Sequence, residues 1–137
     1  MKWGGLALLL VCAPGALAVQ ATLEAAARQA REAWLAHDPQ ALVGQSPSIV
    51  LQIPGADPSA PLGRAQAVEL LRRHFQSAAE QRLTITAVRE MESGRGFVEL
   101  ERRYVVRGTS EVRRETVFLG FRRVAGRWGL SELRSTS

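Results

Sequence analysis

The chain has 137 residues, of which 46% are apolar and 23% charged, with a formal net charge of +5. That length suits one hydrophobic core, so a second domain is not expected. A single cysteine, Cys12, excludes a disulfide framework, and two histidines, His37 and His74, leave few ways to build a metal site.

Residues 1–18 read as a secretory leader. Lys2 supplies a positive charge, Leu6 to Val11 is an apolar run, and "ALA" at 16–18 offers small residues around a cut after Ala18. A cut after Ala21 is the alternative. The apolar run is far shorter than the roughly 20 residues a membrane anchor needs, so no stable membrane insertion is expected after cleavage. Cys12 follows Val11 where a lipid-attachment signal usually has a small residue, which disfavours lipidation. A periplasmic or secreted location is therefore expected. The mature domain, 19–137, would hold no cysteine and could use no thiolate.

Lys2 is the chain's only lysine, so every mature cation is arginine. These arginines alternate with glutamates, as in "VELERRYVVRG" and "SEVRRETV". A nucleic-acid surface more often carries a one-sided basic stripe with stacking aromatics, so no nucleic-acid partner is expected.

A helix is predicted over 22–37. Thr22 is its cap, and Leu23, Ala27, Ala30, Trp34 and His37 form its apolar stripe. Asp38 precedes Pro39, a position that avoids helical backbone, so the helix must end near His37. Asp38 and Pro39 then suit the cap and first turn of a short second helix, closed by Gly44. The adjacent His37 and Asp38 also have the chemistry of a base and its orienting partner. The capping reading of Asp38 is the commoner use of such a residue.

"SIVLQI" at 48–53 reads as a strand. "PGADPSAPLG" follows as a loop, either a plain connection or a lip over a pocket. A helix over 64–79 comes next, with Val68, Leu71, Phe75 and Ala78 inward. Arg64, Arg72, Arg73 and Glu80 are expected to face water. His74 borders the stripe, and a metal site would need further converging ligands.

Four strands complete the chain: Leu83–Met91, Phe97–Arg107, Val112–Val124 and Arg127–Arg134. Short turns join them into an antiparallel meander. In the second, Val98, Leu100, Tyr104 and Val106 alternate with Glu99, Glu101, Arg103 and Arg107. A turn at Gly108-Thr109-Ser110 would set Arg103 opposite Glu115 and Leu100 opposite Phe118. Val117, Leu119 and Phe121 would then form an apolar stripe on the outer face. Arg102 breaks the pattern, because it falls on the apolar face and requires a carboxylate, a backbone acceptor, water or a ligand. Phosphate loops, nucleophile elbows and metal motifs are absent from the sequence.

The order of elements, with "W..HD..AL", "LQIPG", "G.AQAVELLRRHF" and "GRWGLSEL", resembles the nuclear transport factor 2-like superfamily, also called SnoaL-like or cone-like. Within it, the chain is most similar to small exported bacterial domains of unknown function. The resemblance implies an α+β fold in which a curved antiparallel sheet wraps around the long helices to form a cone. Members include isomerases, dehydratases, cyclases and epoxide hydrolases, and others that bind small molecules or only proteins. The polar residues it places in the cone are Arg102, Tyr104, His74 and His37. Asp38 and Asp57 are the mature chain's only aspartates and both precede prolines, which disfavours an isomerase relying on a strand aspartate.

Three functions follow as expectations. The first is a non-catalytic module that binds a small apolar or anionic ligand, or a protein. Trp34, Phe75, Tyr104 and His74 would line its site, and Arg102 would hold the anionic group. Aromatics at such spacing are more often packed core. The second is a cone-fold enzyme with His37 or His74 as base, supported by Tyr104 or Arg102. The third is an oligomerisation module, a homodimer formed through the sheet. None requires a cofactor or metal.

Overall fold

The computed structural model describes residues 22–137. The predicted leader, its cleavage sites and Cys12 lie outside the described residues.

Helix α1, Leu23–Leu35, begins where Thr22 accepts a hydrogen bond from the Ala25 N–H at 3.1 Å. Its alanine-rich sequence favours helix, and Leu23, Ala27, Ala30, Ala33 and Trp34 are buried along one stripe. At its end the Asp38 N–H donates to the Ala33 carbonyl and the His37 N–H to the Trp34 carbonyl. This two-bond closure usually puts glycine in the left-handed position. Here His37 occupies it, at φ 51°. Asp38 caps α2, Pro39–Val43, by accepting from the Ala41 N–H. Gly44 ends α2 at φ 61°, a conformation in which a side chain would be strained.

Strand β1, Ser48–Gln52, pairs antiparallel with the two-residue β2, Leu62–Gly63. Helix α3, Arg64–Gln76, then crosses to the far edge of the sheet. Strands β3 (Ala78–Met91), β4 (Arg95–Val106), β5 (Val112–Val124) and β6 (Arg127–Thr136) form the meander. The sheet order is β2-β1-β6-β5-β4-β3. α1 and α3 bury their apolar stripes against its inner face, where Val98, Leu100, Val117, Leu119 and Leu133 are almost completely buried. Each such side chain contributes about 1.5–3 kcal/mol relative to exposure.

Four expectations need correction. The sheet is mixed, because β1 joins β6 in parallel. Local sequence pattern carries no information on the direction of a pair so distant in the chain. The second long helix stops at Gln76, and β3 starts at Ala78. Pairing of Ala78–Glu80 with Tyr104–Val106 overrides the helical preference of "AAEQ".

The third correction concerns register. The β4–β5 loop takes four residues, with the Val106 N–H bonded to the Glu111 carbonyl, which shifts the pairing by one residue. Arg102 therefore faces Glu115, Arg103 faces Arg114, and Leu100 faces Val117. The fourth follows directly, since cross-strand partners share a face. Val117, Leu119 and Phe121 point into the core, so they offer no outer stripe for a dimer.

Candidate functional site

Arg102 is the centre of the most elaborate side-chain cluster. Its side chain is completely buried. The guanidinium engages Glu80 through Nε, 3.0 Å from each carboxylate oxygen, and through Nη2. Nη1 donates to Glu115 Oε1 at 2.8 Å and to His74 Nε2 at 3.3 Å. The ring of Tyr104 lies 3.9 Å from the guanidinium carbon and that of Trp34 5.0 Å, so the cation is held between two aromatic faces.

Both carboxylates have further partners. Glu80 Oε1 accepts from Trp34 Nε1 at 3.1 Å and from His37 Nε2 at 3.2 Å. Glu115 accepts from the Tyr104 hydroxyl at 2.7 Å and the Ser135 hydroxyl at 2.8 Å. One guanidinium thus faces two carboxylates, whose other acceptor sites take the donors of Trp34, Tyr104 and Ser135.

A β-bulge makes this arrangement possible. β3 shifts register between Glu80, opposite Tyr104, and Arg82, opposite Arg103. The extra residue, Gln81, sends Glu80 to the inner face and Arg82 to the outer one. In an unbroken strand the two would share a face.

The titrations follow from this geometry. Burial disfavours the charged form of Glu115, yet hydrogen bonds from Tyr104 and Ser135 and the Arg102 charge outweigh it and hold the carboxyl below its ordinary pKa. Burial, with the neighbouring Arg102 charge, lowers the pKa of His74. Because arginine can only donate, His74 Nε2 must be the unprotonated acceptor. Burial also opposes the charge of Arg102, but its bonds to Glu80 and Glu115 raise its pKa further. Tyr104 is raised by burial and by its bond to Glu115.

The residues singled out from sequence thus come together. Trp34, Phe75, Arg102, Tyr104 and His74 form one cluster, with Phe75 against Trp34 at 5.1 Å between ring centroids. His37 joins by stacking on Phe75 at 4.9 Å. Asp38 does not support His37; it caps α2. Sequence reasoning missed Glu80 and Glu115, both of which were expected to face solvent. A signal for Glu115 was present. It alternates in phase with Val117, Leu119 and Phe121, just as Arg102 does with Val98 and Leu100. For Glu80 the deciding feature is the bulge, which the sequence does not mark. Among the described residues no three metal-ligating side chains converge.

A second feature lies at the other end of the cone. A cleft of about 800 Å³ opens between the α1–α2 layer and the β5–β6 turn. Ala30, Val43, Val50, Phe121 and Leu130 give it mostly apolar walls, and Arg122 and Arg127 also line it.

Of three comparisons with known proteins, the one with solved structures places this architecture. No protein-family model matches the sequence, and no curated protein matches it. Solved structures do. A ketosteroid isomerase-like protein from Erwinia carotovora atroseptica superposes with a TM-score of 0.69 at 21% identity, over 83% of this chain and 92% of that one. A nuclear transport factor 2-like protein of unknown function from Shewanella oneidensis gives 0.60 at 14% identity, over 82% and 93%. The fold is the nuclear transport factor 2-like cone. A DUF4783 family protein from Bacteroides uniformis shares the cone with a TM-score of 0.68 at 14% identity, over 80% of this chain and 94% of that one. At these identities the likeness concerns the fold alone. Within the cone, the buried cluster occupies the end nearest the β4–β5 turn, and the cleft the end nearest the β5–β6 turn.

Proposed function

We propose that the protein is an exported, non-catalytic binding module whose cleft takes a small apolar or amphipathic ligand. The observation that carries this reading is the mutual satisfaction of the polar cluster. Arg102, Glu80, Glu115 and Tyr104 are nearly inaccessible and bonded to one another, so none is poised for a substrate. In this reading Trp34, Phe75, Arg102, Tyr104 and His74 close one end of the cone and hold its shape. The ligand lies in the cleft, where apolar walls supply affinity and Arg122 or Arg127 can meet an anionic end.

Native mass spectrometry of residues 19–137, recovered from a periplasmic preparation, tests this. A retained small molecule is expected in the wild type, and its loss in Gln29→Trp, which fills the cleft from an exposed position of α1. An empty wild-type chain, or equal retention in the variant, contradicts the proposal.

One observation favours a second reading, an enzyme. His37 is 22% exposed, holds a left-handed backbone conformation and contacts Glu80. Strained residues of this kind cluster at functional sites. Here His37 would be the base, with Glu80 orienting it. Any hydrolase or isomerase activity found by substrate screening would then disappear in His37→Ala. An activity that survives the substitution removes this reading.

A further inference from the structure

The outer face of the sheet carries an arrangement that neither the cluster nor the cleft explains. Arg82 on β3, Arg103 on β4 and Arg114 on β5 are direct cross-strand partners. Neighbouring strands lie about 4.8 Å apart, so three guanidinium stems rise from a row about 10 Å long. Like charges directly opposite one another destabilise a sheet.

Three other arginines of the sheet find carboxylates: Arg113 with Glu111, Arg123 with Glu90, Arg134 with Glu132. Among the described residues, Arg82, Arg103 and Arg114 have no carboxylate within ion-pairing distance. The row borders a depression of about 520 Å³. Its other walls include Thr84, Glu101 and Thr116, which form the next row in register, and Ser137 at the rim. Arg102 and Glu115, bonded to each other on the inner face, contribute to the floor.

We propose that this row is a binding site for a dianionic phosphoryl group. Glu101, one row away, offsets at most one of the three positive charges, so a dianion completes the balance. A tetrahedral oxyanion presents enough acceptors for three guanidinium forks and the threonine hydroxyls, whereas a single carboxylate does not. The sites are exposed, so the attraction weakens with added salt. The bulge at Gln81 serves this face too, because it is what turns Arg82 outward into line with Arg103.

Isothermal titration of residues 19–137 with inorganic phosphate and with pyrophosphate, at low ionic strength, tests the site. Saturable binding is expected for the wild type, weakened about tenfold or more in Arg103→Gln, the centre of the row. Arg72→Gln, at a helix position paired with Glu69, should bind as the wild type does. The cleft variant Gln29→Trp should also bind phosphate normally, so this site and the proposed cleft can fail independently. A thermal melt gives a second readout. Phosphate should raise the wild-type midpoint more than chloride at equal ionic strength, and that difference should vanish in Arg103→Gln. Absence of saturable binding, or equal binding by Arg103→Gln and the wild type, overturns the proposal.

Discussion

The two ends of the cone solve the problem of their interior differently. Near the β4–β5 turn, Trp34, Phe75 and Tyr104 pack around a buried ion cluster and fill the space. Near the β5–β6 turn, Ala30, three valines and two glycines lie beside Phe121 and Trp128, and a cleft remains. The first end gathers Arg102, Glu80, Glu115 and Tyr104 and gives solvent little access to them. The second is open, with largely apolar walls beside Arg122, Arg127 and Glu132. The polar side chains at the closed end of this nuclear transport factor 2-like cone are bonded chiefly to one another. Variants at the closed end should therefore cost mainly stability, and variants at the open end should cost mainly the ligand retention proposed above.

The largest effect is expected at the closed end. Arg102→Leu leaves Glu80 and Glu115 buried and uncompensated, which should destabilise the protein by about 3–5 kcal/mol in urea unfolding. A loss below about 1 kcal/mol would mean that water reaches the carboxylates, and that the two ends differ less than their geometry indicates.

Acid should do part of the same damage reversibly. His74 has a lowered pKa in the folded state, so the unfolded chain binds its proton first. Its contribution is complete above the ordinary histidine value of about 6.5 and shrinks as pH falls toward the folded value. Glu115 is also lowered, and its contribution is lost as pH falls below the ordinary glutamate range and through the folded value. The two act in the same direction, so the melting temperature should fall from pH 7 toward pH 4, about neutrality first through His74. A flat profile over that range would place His74 in water. At the alkaline side, raised Tyr104 predicts stability that declines above about pH 10, since the unfolded chain loses its proton first.

A smaller effect should come from the open end. A methyl group on Gly96 would lie 2.8 Å from both terminal carbons of Leu23 and 3.1 Å from the Trp128 ring. Gly96→Ala should cost about 1–3 kcal/mol, measured by thermal melting, because Leu23 must move where α1 meets the sheet. Ligand retention in the same variant reports whether α1 sets the width of the cleft.

The smallest effect is expected at His37. His37→Gly relieves the left-handed backbone but loses the contact with Glu80 and the stacking on Phe75. These offset each other, so stability should change by less than about 1 kcal/mol. A loss of several kcal/mol would make His37 a full member of the buried cluster.

Much of the fold was legible because its signals are local. Thr22 and the alanine stripe mark α1, Asp38-Pro39 marks the break between helices, and alternation along "FVELERRYVV" marks β4. Arg102 also stood out, as a charge in an apolar register. Its partners did not, for reasons of register. A four-residue turn instead of a three-residue one moves Glu115 from the solvent face to the cluster. A single bulged residue at Gln81 does the same for Glu80. Pairing of β1 with β6 joins segments about 80 residues apart, which no local pattern encodes. The arginine row was hidden by the same one-residue shift, which had put Glu115 in the place of Arg114.

The central claim is that the buried cluster is compensated from within and holds the cone. Urea unfolding of Arg102→Met, alone and combined with Glu80→Gln and Glu115→Gln, tests it most directly. The account predicts a large drop in the midpoint for the single variant, and recovery of more than half of it once both carboxylates are neutral. A single variant that unfolds at the wild-type midpoint would contradict it and leave Arg102 as a group held for a ligand.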